Sequence, residues 1–231
     1  MAAGNSVNDE IREQHQKMKG KSRKEKFAYF WEYYKVHTLV AILVLILGGS
    51  MIYSIATQKD IIMEAAFVNT YLSNALEMDT GTEEMASEFI AFSGADAKKE
   101  TAVINTMSIS YESADEMSFA NIQKLMAMVA ARTIDAIVAN EDYIDHALET
   151  GIFTDLRTCL SEEQFEELDS RGMLLYKDLG DDDTDEKIPV AIDVRSSKYM
   201  LSNEVPAWLI VVSNSKHPDK ALEFLEFMLT E

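Results

Sequence analysis

The stretch KFAYFWEYYKVHTLVAILVLILGG, residues 26–49, joins a cluster of aromatic and charged residues to an uncharged apolar run. Three interpretations fit it: a signal sequence that is removed, a permanent membrane anchor, or a buried core helix. Each one gives the rest of the chain a different environment. This stretch therefore decides how the chain divides.

The apolar run is long enough to cross a bilayer. The 19 residues from Thr38 to Ala56 carry no charge, and as a helix they would extend about 28 Å, close to the thickness of the hydrocarbon core. Eight of the 21 Lys and Arg residues precede the run, so the positive-inside rule predicts a cytoplasmic N-terminus. We predict a transmembrane helix at 38–57 in a single-pass protein of the cell membrane. Small residues at Ser54 and Ala56 leave cleavage after Ala56 open as an alternative.

Aromatic residues precede the predicted span at helical spacing. Phe27, Phe30, Trp31 and Tyr34 stand at i, i+3, i+4 and i+7, which places them in one stripe. Such rings suit head-group depth, so we interpret residues 1–37 as a cytoplasmic tail and a basic, aromatic juxtamembrane helix that contacts the lipid bilayer. The alternative is a soluble helix that packs these rings against a domain.

Charge divides the chain at the same place. Residues 1–57 hold eight basic and five acidic residues, whereas residues 58–231 hold 13 basic and 35 acidic residues. So acidic a domain repels nucleic acid, and no nucleic-acid partner is expected. The single cysteine, Cys159, excludes an intrachain disulfide and has no local signature of a nucleophile.

Beyond residue 58 the patterns of strand and helix alternate. Predicted strands lie at 61–69, 101–110, 134–139, 172–179, 187–194 and 207–213. Predicted helices lie at 80–92, 113–131, 141–150, 161–170 and 218–230. This alternation predicts one extracytoplasmic, layered α/β domain over 58–231 with a partly parallel sheet.

Two helix starts carry the S/T-x-x-E pattern of a capping box, Thr80 with Glu83 and Ser113 with Glu116. In the helix at 113–131, the apolar residues at helical spacing predict a buried face, with its methionines as core filling. These residues are Met117, Ile122, Leu125, Met126 and Val129.

No catalytic or cofactor motif is recognisable in the sequence. The acids near His146 in EDYIDH (141–146) allow a metal site, but they are ordinary in so acidic a chain. The run GDDDTDE (180–186) lacks the spacing of a calcium-binding EF-hand and reads as a solvated turn. We therefore expect that the chain is not an enzyme and that it binds no cofactor and no metal ion.

Three segments together resemble a known family. TIDAIVANEDYIDHALETGIFTDL (133–156), KIPVAIDV (187–194) and AWLIVVSNSKHPDKALEFLEFMLTE (207–231) are similar, in the same order, to segments of bacterial extracellular solute-binding proteins of the type 2 periplasmic-binding class. The lead KEKFAYFWEYYK (24–35) resembles membrane-anchored bacterial proteins that carry such a domain. In that family a second lobe separates the hinge strand from the closing segment, whereas here residues 195–206 alone join them. The resemblance therefore implies a single lobe, and whether another chain supplies the second stays open.

Ligands of open α/β sheets bind beyond the carboxyl ends of the strands. This rule nominates a ligand-binding set: Asn69, Thr70, Ser110, Tyr111, Asn140, Glu141, Asp142, Asp193 and Arg195. For each of these, an ordinary loop or helix-cap role is the alternative. Trp208 is interpreted as a core residue, with a stacking platform for a sugar as the alternative.

The leading hypothesis is thus a membrane-anchored, non-catalytic binding domain similar to solute-binding proteins, whose partner is a small solute or a membrane transporter. The alternative is a structural or regulatory accessory subunit of a membrane complex. The sequence identifies neither the ligand nor the oligomeric state.

Overall fold

The computed structural model describes residues 12, 16, 20, 22–73, 81–112, 115–178, 187–201 and 204–230. It separates into two compact units, Met1–Gln58 and Lys59–Glu231. The helices are α1 (Arg23–Thr57), α2 (Gly81–Phe92), α3 (Glu116–Ala131), α4 (Glu141–Ala147), α5 (Glu162–Ser170) and α6 (Pro218–Leu229). The strands are β1 (Asp60–Val68), β2 (Glu100–Met107), β3 (Ala136–Ala139), β4 (Leu174–Lys177), β5 (Ile188–Asp193) and β6 (Trp208–Val211).

The first unit contains one long helix, α1, which begins at a capping box formed by Ser22 and Glu25. Within it, the 24 residues Tyr34–Thr57 have a mean hydropathy of 2.4, and none of them is buried. By length and composition this segment can cross a membrane. The aromatic residues predicted to form a juxtamembrane helix and the apolar residues predicted to span the membrane lie in this one continuous helix. No Gly or Pro interrupts residues 22–47.

The aromatic residues of α1 contact one another in pairs one turn apart. Phe27 stacks on Trp31 with 6.3 Å between ring centroids, and Phe30 stacks on Tyr34 at 5.3 Å. All four side chains are exposed. The predicted stripe is therefore present on the surface of α1.

The second unit is built on a six-stranded mixed sheet in the order β2-β1-β3-β6-β5-β4. Strand β1 is parallel to β2 and to β3, while β6 is antiparallel to β3 and to β5. Strands β5 and β4 form an antiparallel pair. Each predicted strand and helix of 58–231 has a counterpart at its place, so the layered α/β prediction is confirmed at the level of architecture.

Helices cover both faces of the sheet, because alternate residues of β1 point into two separate apolar clusters. Met63, Ala65 and Phe67 face the cluster that includes Phe89 of α2 and Phe224 of α6. Ala66 and Val68 face the other cluster, which includes residues of α3 and α4. Such two-sided burial is typical of parallel strands in α/β domains.

Helix α3 is buried much less than its sequence predicts. Only Ser118 and Leu125 are buried along its whole length. Met117 and Met126, predicted as core residues, are 67% and 63% exposed, so that prediction is wrong. Helical spacing identifies an apolar face, but no element covers that part of α3 in the described chain. The helix starts at Asp115, whose side chain accepts a hydrogen bond from the Ser118 amide. Thr80, Ser113 and the acidic run 180–186 lie outside the described residues.

The buried carboxylate of Asp135, just before β3, holds distant parts of the domain together. Asp135 is 1% exposed, and it accepts hydrogen bonds from the Glu64 amide, the Ser215 hydroxyl and the His217 amide. These groups belong to β1 and to the segment between β6 and α6. Asp135 therefore ties two distant segments to the start of β3, a role that the sequence pattern does not indicate.

Candidate functional site

The carboxyl ends of four strands meet at one edge of the sheet. Val68 pairs with Met107 and with Ala139, and Trp208 pairs with Ala139 and with Asp193. Because β6 reverses direction between β3 and β5, the end of β5 lies at the same edge as the ends of β1, β2 and β3. The strand-end residues nominated from the sequence are thus brought to one edge.

The two nominated residues after β1 are engaged within the fold. The Asn69 amide nitrogen donates to the Ile109 carbonyl at 2.7 Å, and its amide oxygen accepts from the Ile109 N–H at 2.8 Å. Asn69 has a φ of 53°, a left-handed conformation that Asn tolerates better than most residues. Thr70 is buried and donates to the Val138 carbonyl. Both side chains hold neighbouring strands together.

The nominated residues after β3 cap and anchor α4. The Asn140 side chain accepts from the Tyr143 amide at 3.2 Å as the N-cap. The Glu141 carboxylate lies 2.7 Å from the Lys177 ammonium, which also pairs with Asp145 at 2.7 Å. Desolvation opposes the charge on Lys177, but these two carboxylates outweigh it and raise the pKa of that lysine.

Asp193 and Arg195 pair with each other beyond β5. The guanidinium Nε lies 2.7 Å from the Asp193 carboxylate, and the Arg195 amide donates to the same carboxylate at 3.0 Å. The guanidinium also lies 5.8 Å from the centre of the Trp208 ring. Trp208 is 8% exposed and packs in the core, so its interpretation as a core residue is confirmed.

Ser110 and Tyr111, which follow β2, lie beside an open cavity. This cavity of about 360 Å³ is lined by both residues and by Phe119 and Ile122 of α3. A second cavity of about 290 Å³ shares Tyr111 and Ile122. Its further lining comes mainly from apolar and aromatic residues of α3 and α4, including Leu125, Met126, Val129 and Tyr143. We call the two cavities together the α3–α4 groove.

Aromatic contacts close one part of the groove. The Tyr111 ring stacks on the His146 imidazole at 4.0 Å with 2° between the planes. Burial and then the nearby Asp142 carboxylate raise the pKa of Tyr111, and burial and then Tyr111 raise the pKa of Tyr143. A tyrosine phenol is neutral at physiological pH, and these shifts extend that range upward, so both side chains offer an apolar ring with one polar tip.

The surface around the groove is apolar and acidic. Phe119 and Met126 of α3, which line the groove, are 62% and 63% exposed. Asp115 and Glu116 line the groove directly, while Asp142 lies beside His146. Among the described residues that line either cavity, no Lys or Arg is present. Such a surface can bind apolar groups, with a preference for cationic over anionic neighbours.

Sequence reasoning found part of this groove. The position after strands identified Ser110 and Tyr111, which line the groove, and Asp142, which lies beside it. Met117 and Met126 were predicted as core residues, and Phe119 was given no role. The available signal was the high proportion of apolar residues in α3, which exceeds what one buried stripe needs. In the described parts of the chain, no group of three or more His, Cys, Asp or Glu is arranged to hold a metal ion.

Comparisons of the chain with protein-family models, with curated proteins and with solved structures give no match.

Proposed function

We propose that this chain is a single-pass membrane protein, with its N-terminus in the cytoplasm, whose extracytoplasmic α/β domain docks another protein through the α3–α4 groove. It acts as an accessory subunit of a membrane complex and performs no covalent chemistry. The proposal takes the orientation from the basic residues before the apolar run of α1.

The exposed apolar face of α3 carries this proposal. Phe119 and Met126 are each more than 60% exposed on α3, and both line the groove. Exposed apolar surface of this kind commonly marks an interaction site. Methionine suits such a site because its flexible thioether adapts to the shape of a partner.

The polar side chains at the strand ends are already hydrogen-bonded or ion-paired within the domain. This favours protein docking over capture of a polar solute. Sugars and amino acids need several convergent hydrogen-bonding groups. Here the side chains of Asn69, Thr70 and Asn140 bond to backbone groups of the domain, and Asp193 bonds to Arg195. The groove instead offers mostly carbon surface.

Site-specific photo-crosslinking in native membranes tests the proposal. A photoreactive amino acid at Met126, in the groove, should give one discrete crosslinked species. The same probe at Ala127, which is exposed on α3 outside both cavities, is the matched control. Adding Phe119→Gln to the Met126 probe should remove the species. Equal crosslinking from both positions would contradict docking in the groove.

A second candidate function is binding of a small solute, as the resemblance to one lobe of a solute-binding protein implies. The meeting of four strand ends at one edge, with Tyr111 in the adjoining groove, favours it. A thermal-shift screen of the full chain against amino acids, sugars, oligopeptides and apolar aromatic compounds tests it. A ligand at about 100 times its Kd should add roughly 2.7 kcal/mol of stability. A hit that Tyr111→Ala abolishes would favour solute binding over docking.

A further inference from the structure

We infer that the docking segment of the partner is a basic amphipathic helix, an inference that rests on the proposed docking role of the α3–α4 groove. Its apolar face would lie on the exposed groove residues of α3. Its Lys or Arg side chains would face an acidic rim made of Asp115, Glu116 and Asp142. The space in the groove and the charge around it both support this inference.

The groove offers space for neighbouring apolar side chains of a partner. Two adjoining cavities of about 360 and 290 Å³ meet at Tyr111 and Ile122, so two or more large side chains can be placed side by side. An amphipathic helix presents such anchors at i, i+3 or i+4 and i+7. Phe119, Met126 and Tyr143 are among the lining residues, and surfaces rich in such side chains accept varied apolar helices.

The negative charge at the rim favours a positively charged partner. Asp115 and Glu116 stand at the N-terminal end of α3, and Asp142 stands on α4 beside His146. The domain as a whole carries 35 acidic against 13 basic residues. Complementary charge favours encounter with a cationic partner and disfavours an anionic one.

The same charge argues against an anionic lipid surface as the occupant. Anionic lipid head groups attract surfaces that present Lys and Arg. The described residues that line the groove include neither, whereas Asp115 and Glu116 are among them. A cationic protein segment fits this surface better than a membrane.

Two synthetic peptides of 18 residues test the inference, one built from Leu and Lys and the other from Leu and Glu with the same apolar positions. The full chain is reconstituted in zwitterionic lipid discs, and binding of labelled peptide is measured by fluorescence anisotropy. Discs without protein give the background to be subtracted. The variants are Met126→Gln in the groove and Ala127→Gln as its control on the same helix.

We expect the Leu/Lys peptide to bind at least tenfold more tightly than the Leu/Glu peptide. Met126→Gln should weaken the Leu/Lys peptide about tenfold, and Ala127→Gln should change it less than twofold. Raising the salt concentration should lower the affinity of the Leu/Lys peptide, because charge contributes to it.

Equal binding of both peptides, lost in Met126→Gln, would overturn the inference and leave docking in the groove intact. Binding of neither peptide would also overturn it, and a lipid surface would then be the occupant to examine with vesicles. The proposed function has its own test, since crosslinking at Met126 does not depend on the charge of the partner.

Discussion

The Tyr111 ring lies flat on the His146 imidazole, with 4.0 Å between the ring centroids. This contact joins the loop after β2 to α4 across one part of the α3–α4 groove. Tyr111 lines both cavities of the groove, so one side chain shapes both. Burial and then the Asp142 carboxylate raise the pKa of its phenol above the ordinary value of 10.0.

Removing the Tyr111 ring should damage binding more than folding. Tyr111→Ala deletes surface from both cavities, so we expect the affinity for a Leu/Lys helix to fall about tenfold. The unfolding free energy should fall by about 1 kcal/mol, the scale of one aromatic pair. Anisotropy and chemical denaturation measure the two effects. Tyr111→Phe, which keeps the ring, should behave like the native chain in both.

Removing the buried carboxylate should destabilise the domain. Asp135→Ala leaves the Glu64 amide and the Ser215 hydroxyl without their acceptor, and we expect a loss of about 2–4 kcal/mol of unfolding free energy. Urea denaturation of the full chain, followed by circular dichroism, measures it. Glu166→Gln, at an exposed acid of α5, is the control and should change stability by less than about 0.5 kcal/mol. Similar losses in both variants would show that Asp135 is not a special support.

Two phenylalanines should differ sharply in their contribution to stability. Phe89 is fully buried and packs edge to face with Phe224 and Phe227, so Phe89→Ala should cost about 3–5 kcal/mol. Phe119→Ala removes an exposed ring and should cost less than about 1 kcal/mol. A thermal melt of each variant distinguishes the two. A large loss for Phe119→Ala would mean that this ring packs in the fold.

The ion pairs of Lys177 should contribute to stability over a defined pH range. Because Asp145 and Glu141 raise the pKa of Lys177 above its ordinary value of 10.5, in spite of desolvation, the folded state holds this proton more tightly than the unfolded state. The contribution is therefore complete below pH 10.5 and is lost as the pH rises through the folded pKa. We expect about 1 kcal/mol, since both carboxylates are half exposed.

Denaturation of the native chain and of Lys177→Met from pH 7 to pH 11.5 measures this contribution. The difference in unfolding free energy should be constant up to about pH 10 and then shrink. Lys216→Gln, at an exposed lysine, should show no such difference. A difference that grows with pH would contradict the sign of the shift.

Labelling of single cysteines tests the proposed topology. In a Cys159→Ser background, Glu166→Cys, an exposed position of α5 outside the groove, should react with a membrane-impermeant maleimide in intact cells. Ser22→Cys, just before α1, should react only after the membrane is permeabilised. The reverse pattern would contradict a cytoplasmic N-terminus. The mass of the purified chain, in the same experiment, shows whether cleavage after Ala56 takes place.

Local patterns in the sequence predicted the elements of this fold well. The uncharged run from Thr38 to Ala56 predicted an apolar helix, and the alternation of strand and helix patterns predicted the layered domain. These features depend on hydrophobic periodicity, on Gly and Pro and on helix caps, which are properties of a few neighbouring residues. The rule that ligands bind at strand ends led to Ser110 and Tyr111 because it depends on topology alone.

What the sequence determined by itself is the list of elements, the division of charge between residues 1–57 and 58–231, and the apolar character of α1 and α3. Only the tertiary structure decided which apolar faces are covered. Leu125 is buried and Met126, its neighbour, is exposed, although both belong to the same predicted stripe. It also decided that the Asn69 side chain accepts a hydrogen bond from the Ile109 amide and that Asp135 accepts one from the Ser215 hydroxyl. Periodicity describes one helix or strand at a time, whereas burial and hydrogen bonding depend on partners that are distant along the chain.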